Sequence, residues 1–396
     1  MPTISSDNER LLFGRETEVQ RVVDACAAGR VAVVTAAPCM GITAVLEAGV
    51  MPALRRDDCL VVVFRAWPGR YFVTGLREKV AEAVRECSGA DFLVEGEELE
   101  DVLRRGIRLT GKRIALILDQ FEDYLRCHSG TDVAEAFDAE LARAVGLEGA
   151  APVIFGLQNH ALATFGRLQQ LIPNLLGNHV QLEPLRPEDV REWVQRAVER
   201  KRMELEPGVT DLLLSGKAAV VGSGIHPFLF GIGLKRLLEA ESRLNSATVR
   251  LSTIQGFGGP DDLILQALDA TLTELSSTHR ELFFRLCNIL LAADGRRQAV
   301  TEQIIAEYSG RLNRFVLTLL PILLGKNILR SVEVRDGIWY EIARDGMAPV
   351  IRAWWNNKEA LDVARQRAAF RIRSIALAAG TIVLSYVAWL VLSWKG

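Results

Sequence analysis

The sequence lacks an excess of positive charge. Its 396 residues contain 47 Lys and Arg against 49 Asp and Glu, which gives a formal net charge of −2. Nucleic-acid-binding domains usually carry a basic footprint that attracts phosphate, so we expect no nucleic-acid partner. Internal repeats and low-complexity tracts are also absent, and the 49% hydrophobic content is sufficient for two or three domains with their own cores.

The sequence also has few residues that could hold a metal ion through sulfur. None of its six cysteines has C-x-x-C spacing or a histidine partner; they stand at positions 26, 39, 59, 87, 127 and 287. Scattered and mostly on apolar faces, they are typical of reduced core residues in a cytosolic protein. The histidines at 128, 160, 179 and 279 share no metal-ligand spacing. No zinc site is expected.

Long apolar runs are missing everywhere except near the end of the sequence. The first ten residues contain none, so we expect no secretory signal. Residues 375–394, in contrast, carry no charge, and a helix of that length spans about 30 Å, the thickness of a bilayer's hydrocarbon core. Four arginines precede this segment, at 365, 367, 371 and 373.

This pattern predicts a basic juxtamembrane helix at 359–374 and a transmembrane helix at 375–394. Because basic residues remain on the cytosolic side, we expect a single-pass anchor in the inner membrane with the bulk of the protein in the cytoplasm. A buried core helix is the alternative interpretation.

A degenerate phosphate-binding loop follows the first apolar strand pattern. Residues 36–43 fit the pattern G-x-x-x-x-G-K-[ST] at Gly41 and Thr43, but Ala36 replaces the first glycine and Ile42 replaces the lysine. In such loops backbone N–H groups hold phosphates, the lysine reaches the outer phosphates and the threonine helps to hold Mg²⁺. The alternative is an ordinary tight turn between a strand and a helix.

The first half of the chain alternates short apolar strands with amphipathic helices. Val-, Ile- and Leu-rich runs separated by helices indicate a parallel sheet that is covered on both faces, and therefore an α/β fold. The predicted strands are 31–35, 60–65, 114–118, 153–157 and 179–182. Helices are predicted at 43–54, 75–84 and 132–144.

The second half is predicted to be mainly helical. Helical patterns cover 188–202, 209–219 and 227–244, and the glycine-rich loop at 256–260 indicates a boundary. Two alternating strands at 328–334 and 338–342 flank an Asp-Gly turn, which is a strong hairpin signal. Helices followed by a hairpin suggest a winged-helix module.

Two acidic residues follow the third predicted strand. In P-loop NTPases an acidic residue at this strand end helps to hold Mg²⁺, and a nearby glutamate orients the attacking water. Asp119 and Glu122 occupy such positions. Alternatively, Asp119 caps the following helix.

Together, seven segments resemble the STAND group of signal-transduction ATPases, most closely its bacterial novel STAND branch. They are FGRE at 13–16, the loop at 36–43, MPAL at 51–54, DQFE at 119–122, LEPL at 182–185, GIHP at 224–227 and YEIARDGMAP at 340–349. The resemblance implies an AAA-like nucleotide domain at 1–185, an α-helical lid at 186–258 and a winged-helix domain at 259–358 that closes over nucleotide. Such proteins act as switches, often in bacterial immunity and conflict.

The resemblance also implies a set of positions around a nucleotide. These are Gly14, Arg15, Gly41, Ile42, Thr43, Gln158, Pro227 and Arg344. Three depart from the family, which has Lys at Ile42, Arg at Gln158 and His at Arg344. The candidate cofactor is ATP or ADP with Mg²⁺ held by Thr43 and Asp119, and Asp119 and Glu122 are the catalytic candidates if hydrolysis occurs. With three phosphate contacts changed, we expect no hydrolysis.

Three functions remain open at this point. The first is a membrane-anchored, STAND-like regulatory protein with a degenerate nucleotide site, acting by protein interaction, homo-oligomerisation or a membrane effect, with a protein partner encoded nearby. The second is an active ATP-dependent switch with unusual phosphate ligands, in which Arg344 could restore a positive charge. The third is a winged-helix DNA-binding protein, which the near-neutral charge disfavours.

Overall fold

A computed structural model describes residues 14–343, apart from short gaps, and Ile351. The gaps fall at 39, 69–70, 148, 150–151, 222–223, 265, 267–274, 292–297, 326–327 and 335–336. Among these described residues, none of the helices has the length and apolar character that spanning a bilayer requires. Arg344 and the expected helices at 359–374 and 375–394 lie outside the described residues.

The first half forms an α/β fold around a five-stranded parallel sheet. Its strands are β1 (Val31–Ala36), β2 (Cys59–Phe64), β3 (Arg113–Leu118), β4 (Val153–Gln158) and β5 (His179–Leu182). They are arranged in the order β2-β3-β4-β1-β5, with β1 between β4 and β5. The predicted parallel sheet is confirmed, and each strand end differs from its predicted position by at most one residue.

Helices connect the strands. They are α1 (Glu16–Ala28), α2 (Ile42–Ala44, continuing through Val45–Val50 and Met51–Arg56), α3 (Phe72–Ser88), α4 (Leu99–Thr110), α5 (Phe121–His128), α6 (Asp132–Gly146) and α7 (Leu162–Phe165). Short 3₁₀ turns at Asn159–Ala161 and Gly166–Gln170 flank α7. The middle of α2, Val45–Val50, is a π-helical segment, a feature that hydrophobic periodicity does not predict and that is frequent at functional sites.

The second half is mainly helical, as expected. Its helices are α8 (Pro187–Arg200), α9 (Val209–Leu214), α10 (Pro227–Arg243), α11 (Leu251–Gly256), α12 (Ser277–Leu290), α13 (Glu302–Ser309) and α14 (Val316–Gly325). A 3₁₀ segment, Gly310–Phe315, joins α13 to α14. The helix predicted at 209–219 ends early, at Leu214, because the Ser215 hydroxyl donates to the Leu212 carbonyl (2.7 Å) and a glycine follows.

Short strands complete the second half. They are β6 (Glu204–Leu205), β7 (Val220–Val221), β8 (Gly224–Ile225), β9 (Thr248–Val249), β10 (Val300–Thr301), β11 (Leu329–Val334) and β12 (Gly337–Ile342). β6 pairs with β9, and β7 pairs with β8. The predicted hairpin is present, with β11 and β12 antiparallel and β10 on the other side of β12.

Three apolar clusters form the core. Two of them cover the opposite faces of the parallel sheet, so that along β1 Val33 faces one cluster and Val34 the other. The third cluster consists of buried residues of the second half, from Leu185 to Ile351 in the sequence, and includes side chains of α8 and of the β11–β12 hairpin. Burial of the apolar side chains in these clusters is the main term that stabilises the folded state of both halves.

Helix α2 approaches the sheet closely at Gly156 in β4. A methyl group at this position would lie 2.7 Å from Leu46 Cδ1 and 2.9 Å from Ile42 Cγ2, both on α2. Only a residue without a side chain therefore allows α2 to pack directly on β4.

Gly156→Ala is expected to lower the free energy of unfolding by about 1–3 kcal/mol, because the added methyl overpacks this contact. The control is Gly146→Ala, at the end of α6, where a methyl group meets nothing within 4 Å. That change should be neutral or slightly stabilising. Urea unfolding followed by circular dichroism measures both, and equal effects would contradict the close-packing argument.

Candidate functional site

The candidate site lies at the carboxyl edge of the parallel sheet. Ala36 ends β1, Asp119 follows β3 and Gln158 ends β4. Because parallel strands all end at the same edge, and ligands of α/β sheets bind there, residues distant in sequence are brought together. The loop from Ala37 to Gly41 leaves β1, which lies inside the sheet, and leads directly into α2.

Gly41 gives the loop its turn into α2. Its backbone is left-handed, with φ 95° and ψ 28°, and its carbonyl accepts a 2.9 Å hydrogen bond from the Val45 N–H. Side-chain-bearing residues rarely adopt this conformation. The glycine predicted from the loop pattern is therefore required by backbone geometry.

Ile42 occupies the position of the missing lysine and is directed to the sheet. Its Cγ2 lies so close to Gly156 that it would be 2.9 Å from a methyl group there. It is partly buried against the apolar cluster that covers this face. This side chain adds packing and provides neither a hydrogen-bond donor nor a charge for a phosphate.

Thr43 and Asp119 meet, as the loop pattern requires. The Thr43 hydroxyl donates to Asp119 Oδ2 at 2.8 Å, and the Gln120 N–H donates to Asp119 Oδ1 at 3.0 Å. Asp119 is only 1% exposed. Burial raises the pKa of its carboxyl group, and the nearby Arg65 and the Thr43 hydrogen bond partly oppose that rise.

Arg65 is a site residue that the sequence analysis missed. Its Nη2 lies 3.6 Å from Asp119 Oδ2, and its guanidinium also pairs with Glu47 on the π segment of α2. The available signal was its place directly after β2, since that strand ends at the same sheet edge. Arg65 brings a positive charge close to the pair that would hold Mg²⁺.

Glu122 and Gln158 are also brought together. The Gln158 N–H donates to Glu122 Oε2 at 3.3 Å, and both residues are 8% exposed. Glu122 therefore lies at the end of β4, at the same sheet edge as the end of β1. The neutral Gln158 provides no charge in the place where the family has arginine.

Two buried side chains from outside the loop hold its backbone. Arg15 Nη2 donates to the Met40 carbonyl at 3.0 Å, and His226 Nε2 donates to the Pro38 carbonyl at 3.1 Å. Since a carbonyl only accepts, this contact puts the His226 proton on Nε2. Burial lowers the pKa of His226 to about 4. Both side chains therefore fix the shape of the loop.

The remaining candidates lie next to these contacts. Pro227 is the first residue of α10 and is buried directly after His226. Gly14 packs against Asp189 of α8, where a methyl group would lie 2.6 Å from Asp189 Cβ. Arg15 of the FGRE segment and His226 of the GIHP segment, which directly precede α1 and α10, thus both contact the loop.

A second feature, which we term the charge cluster, joins α5 to the β11–β12 hairpin. It consists of Asp123, Arg126, Arg330 and Glu341. Arg126 donates to Glu341 (2.7 Å) and Asp123 (2.9 Å), and Arg330 donates to the same two carboxylates at 2.7 Å. Asp123 is 1% exposed and Glu341 is fully buried.

The charge cluster also reaches the site. Arg330 Nη1 donates to the Gln120 side-chain oxygen at 3.2 Å, and Gln120 directly follows Asp119. Gln120 has a positive φ of 55°, a sparsely populated conformation for a residue with a side chain. The hairpin is thus linked to the corner at which β3 becomes α5.

Comparison with known proteins identifies the family. The family model described as Novel STAND NTPase 1 matches residues 3–379. The chain belongs to this family. The family predicted from the seven segments is therefore confirmed. None of the curated proteins matches this novel STAND NTPase.

Three solved structures illustrate what this novel STAND NTPase is similar to in fold. Cdc6p from Pyrobaculum aerophilum is 12% identical, with a TM-score of 0.45, and the match covers 87% of this chain and 94% of that one. The Aeropyrum pernix ORC1 protein, solved in complex with DNA, is 16% identical, with a TM-score of 0.47, and the match covers 90% of this chain and 94% of that one. The Aeropyrum pernix ORC2 protein, solved as ADPNP-ADP complexes, is 15% identical, with a TM-score of 0.46, and the match covers 87% of this chain and 93% of that one.

The charge cluster is expected to stabilise the contact between α5 and the β11–β12 hairpin in this novel STAND NTPase. Arg330→Gln should lower the free energy of unfolding by about 3 kcal/mol, because it removes a partner from two buried carboxylates. In a double-mutant cycle with Glu341→Gln, the two effects should be less than additive, since the residues share one network.

The matched control is Arg285→Gln, whose ion pair with Glu281 on α12 is exposed. Removing an exposed pair should change stability by less than about 0.5 kcal/mol. Urea unfolding measures all four variants. Additive effects of Arg330→Gln and Glu341→Gln would show that the two residues are not coupled.

Proposed function

We propose that this protein is a membrane-anchored STAND switch whose nucleotide site no longer hydrolyses ATP, acting in bacterial conflict such as antiphage defence. The observation that carries the proposal is the position of Ile42, which packs against Gly156 where a phosphate-binding lysine would be needed. Family membership supplies the NTPase fold, and the altered residues argue for a regulatory role.

The phosphate side of the site argues against hydrolysis. Replacing a lysine by isoleucine removes a charge-assisted contact of roughly 1.5–3 kcal/mol. Gln158 adds no charge to stabilise a transition state. Arg65 brings a positive charge close to Asp119, but it is already engaged with Glu47 and Asp119. ATP turnover would therefore lack most of its electrostatic stabilisation.

The metal side of the site fits Mg²⁺ better. Thr43 Oγ1 and Asp119 Oδ2 lie 2.8 Å apart and are hard oxygen ligands of the kind that Mg²⁺ prefers. They are the residues that would hold the ion with ATP or ADP. A bound Mg²⁺ would neutralise charge on phosphate oxygens. Arg65 would have to give up its contact with Asp119, so Mg²⁺ and Arg65 compete for one carboxylate.

The charge cluster supports a switch rather than a static scaffold. It joins α5, which follows the site, to the hairpin in the second half. We interpret residues 186–258 as the helical lid and 259–358 as the winged-helix domain. Separation of the hairpin from α5 would remove the ion-pair partners of the buried Asp123 and Glu341 carboxylates. The joined and the separated arrangements would therefore differ in free energy.

We propose that the protein acts when the hairpin is separated from α5, which we call the open state. It would then form a homo-oligomer, bind a protein partner encoded nearby, or act on the membrane. Residues 375–394 would anchor the protein in the inner membrane, with its bulk in the cytoplasm. The near-neutral overall charge argues against DNA as the partner.

The purified protein is expected to show no ATP turnover above background. Ile42→Lys should raise ATP affinity by about tenfold or more, because an ammonium restores a contact of roughly 1.5–3 kcal/mol, without creating turnover. The matched control is Ile42→Met, which keeps similar volume without charge and should leave affinity unchanged. Nucleotide titration measures the ATP affinity, and phosphate release measures the turnover, of the wild type and of both variants.

Glu122→Gln distinguishes this proposal from the active-ATPase alternative. In a working enzyme the change would block activation of the attacking water, whereas here it should leave the biological output intact. Wild-type turnover that disappears in Glu122→Gln would overturn the proposal. In that case Arg65 and Arg344 would be the first candidates for the missing cation.

The proposed anchor predicts that the full-length chain resists extraction from membranes by carbonate. Leu384→Arg should shift the protein toward the soluble fraction, since a charge at the centre of a membrane helix costs about 2.5–3.5 kcal/mol for insertion. Leu384→Ala is the uncharged control. Recovery of the wild-type chain in the soluble fraction would contradict the anchor and would leave the nucleotide proposal unaffected.

A further inference from the structure

An open groove lies between the second half of α10 and α11, away from the residues that contact the phosphate loop. Its volume is about 490 Å³, and its lining includes three arginines and no carboxylate side chain: Arg236, Arg243 and Arg250. Arg236 and Arg243 are seven residues apart on α10 and therefore project from the same helix face. The groove thus concentrates positive charge.

Among the described residues, one of these three arginines has an ion-pair partner. Arg250 Nη2 donates to Glu241 Oε2 at 2.8 Å, and Glu241 is fully buried beneath it. Within the described part of the chain, Arg236 and Arg243 make no hydrogen bond and no ion pair. The Glu241–Arg250 pair is therefore part of the wall, and two guanidinium charges remain.

Arg236 is held in place without an anion. Its guanidinium carbon lies 5.5 Å from the centre of the Phe257 ring, a cation–π contact across the groove. Its Nε is buried and has no acceptor among the described residues. A buried donor without a partner is costly, and the cost is removed when an acceptor enters.

Space and further donors are also present. Two small residues, Ala240 and Gly256, belong to the lining, and a methyl group at Gly256 would meet nothing within 4 Å. The exposed Ser252 lines the same groove and adds a hydroxyl donor. A guanidinium presents its N–H groups in a planar fork that matches phosphate oxygens.

We propose that this groove binds a small phosphate-bearing anion through Arg236 and Arg243. The site is separate from the nucleotide site and does not depend on the proposed function. Because α10 starts directly after His226, which contacts the phosphate loop, the anion would bind to the helix that follows this loop contact.

The test is calorimetric titration of the full-length protein in detergent with two probes. Inorganic pyrophosphate represents a soluble ligand, and a short-chain, water-soluble phosphatidic acid represents a lipid headgroup. The variant is Arg236→Gln with Arg243→Gln. The control is Lys235→Gln, which removes one positive charge from the exposed neighbouring position of α10 and is matched to each single arginine change. Thr43→Ala reports binding at the phosphate loop.

The double variant should weaken binding of at least one probe by about tenfold for each arginine, while Lys235→Gln and Thr43→Ala change it by less than about twofold. The probe affected identifies the source of the phosphate. If the double variant does not fold, the exposed Arg243→Gln alone should still weaken binding by about tenfold. Unchanged binding in the arginine variants, or equal losses in Lys235→Gln or Thr43→Ala, overturns the proposal.

Discussion

The buried carboxylate of Asp119 is the constraint on which the site depends. A carboxylate that is 1% exposed needs donors, and it receives them from Thr43 on α2 and from the Gln120 N–H. The carbonyl of the same residue accepts a 2.7 Å hydrogen bond from the buried Trp67 indole. Through these hydrogen bonds, Asp119 connects α2, the turn after β3 and the aromatic core.

The same corner connects the site to the second half of the protein. Gln120 turns the chain with a positive φ, and α5 then places Asp123 and Arg126 against the hairpin. A movement of the hairpin must either break these ion pairs or displace α5. Since α5 begins two residues after Asp119, a displacement would reach Asp119 through the backbone. These contacts provide a physical route by which a movement of the hairpin can be coupled to the position of Asp119.

Local patterns predicted the sheet well and long-range contacts poorly. Val- and Ile-rich runs predicted the strands, and the shared edge of the parallel strands places Thr43 against Asp119 and Glu122 against Gln158. The charge cluster was missed because Arg126 and Glu341 lie 215 positions apart and no periodicity links them. Arg65 was missed because a single arginine after a strand resembles any solvated residue. Contacts between distant polar side chains depend on tertiary packing, which sequence patterns do not encode.

The loop is held mainly from the protein side. Arg15 and His226 donate to the carbonyls of Met40 and Pro38, and Ile42 packs against β4. In a working phosphate loop, a lysine and bound phosphate supply part of the stabilisation from the ligand side. Here the protein provides these contacts itself, so the loop keeps its turn at Gly41 without requiring a ligand charge. The buried Arg15 and His226 thus explain how contacts within the protein can keep the shape of this loop.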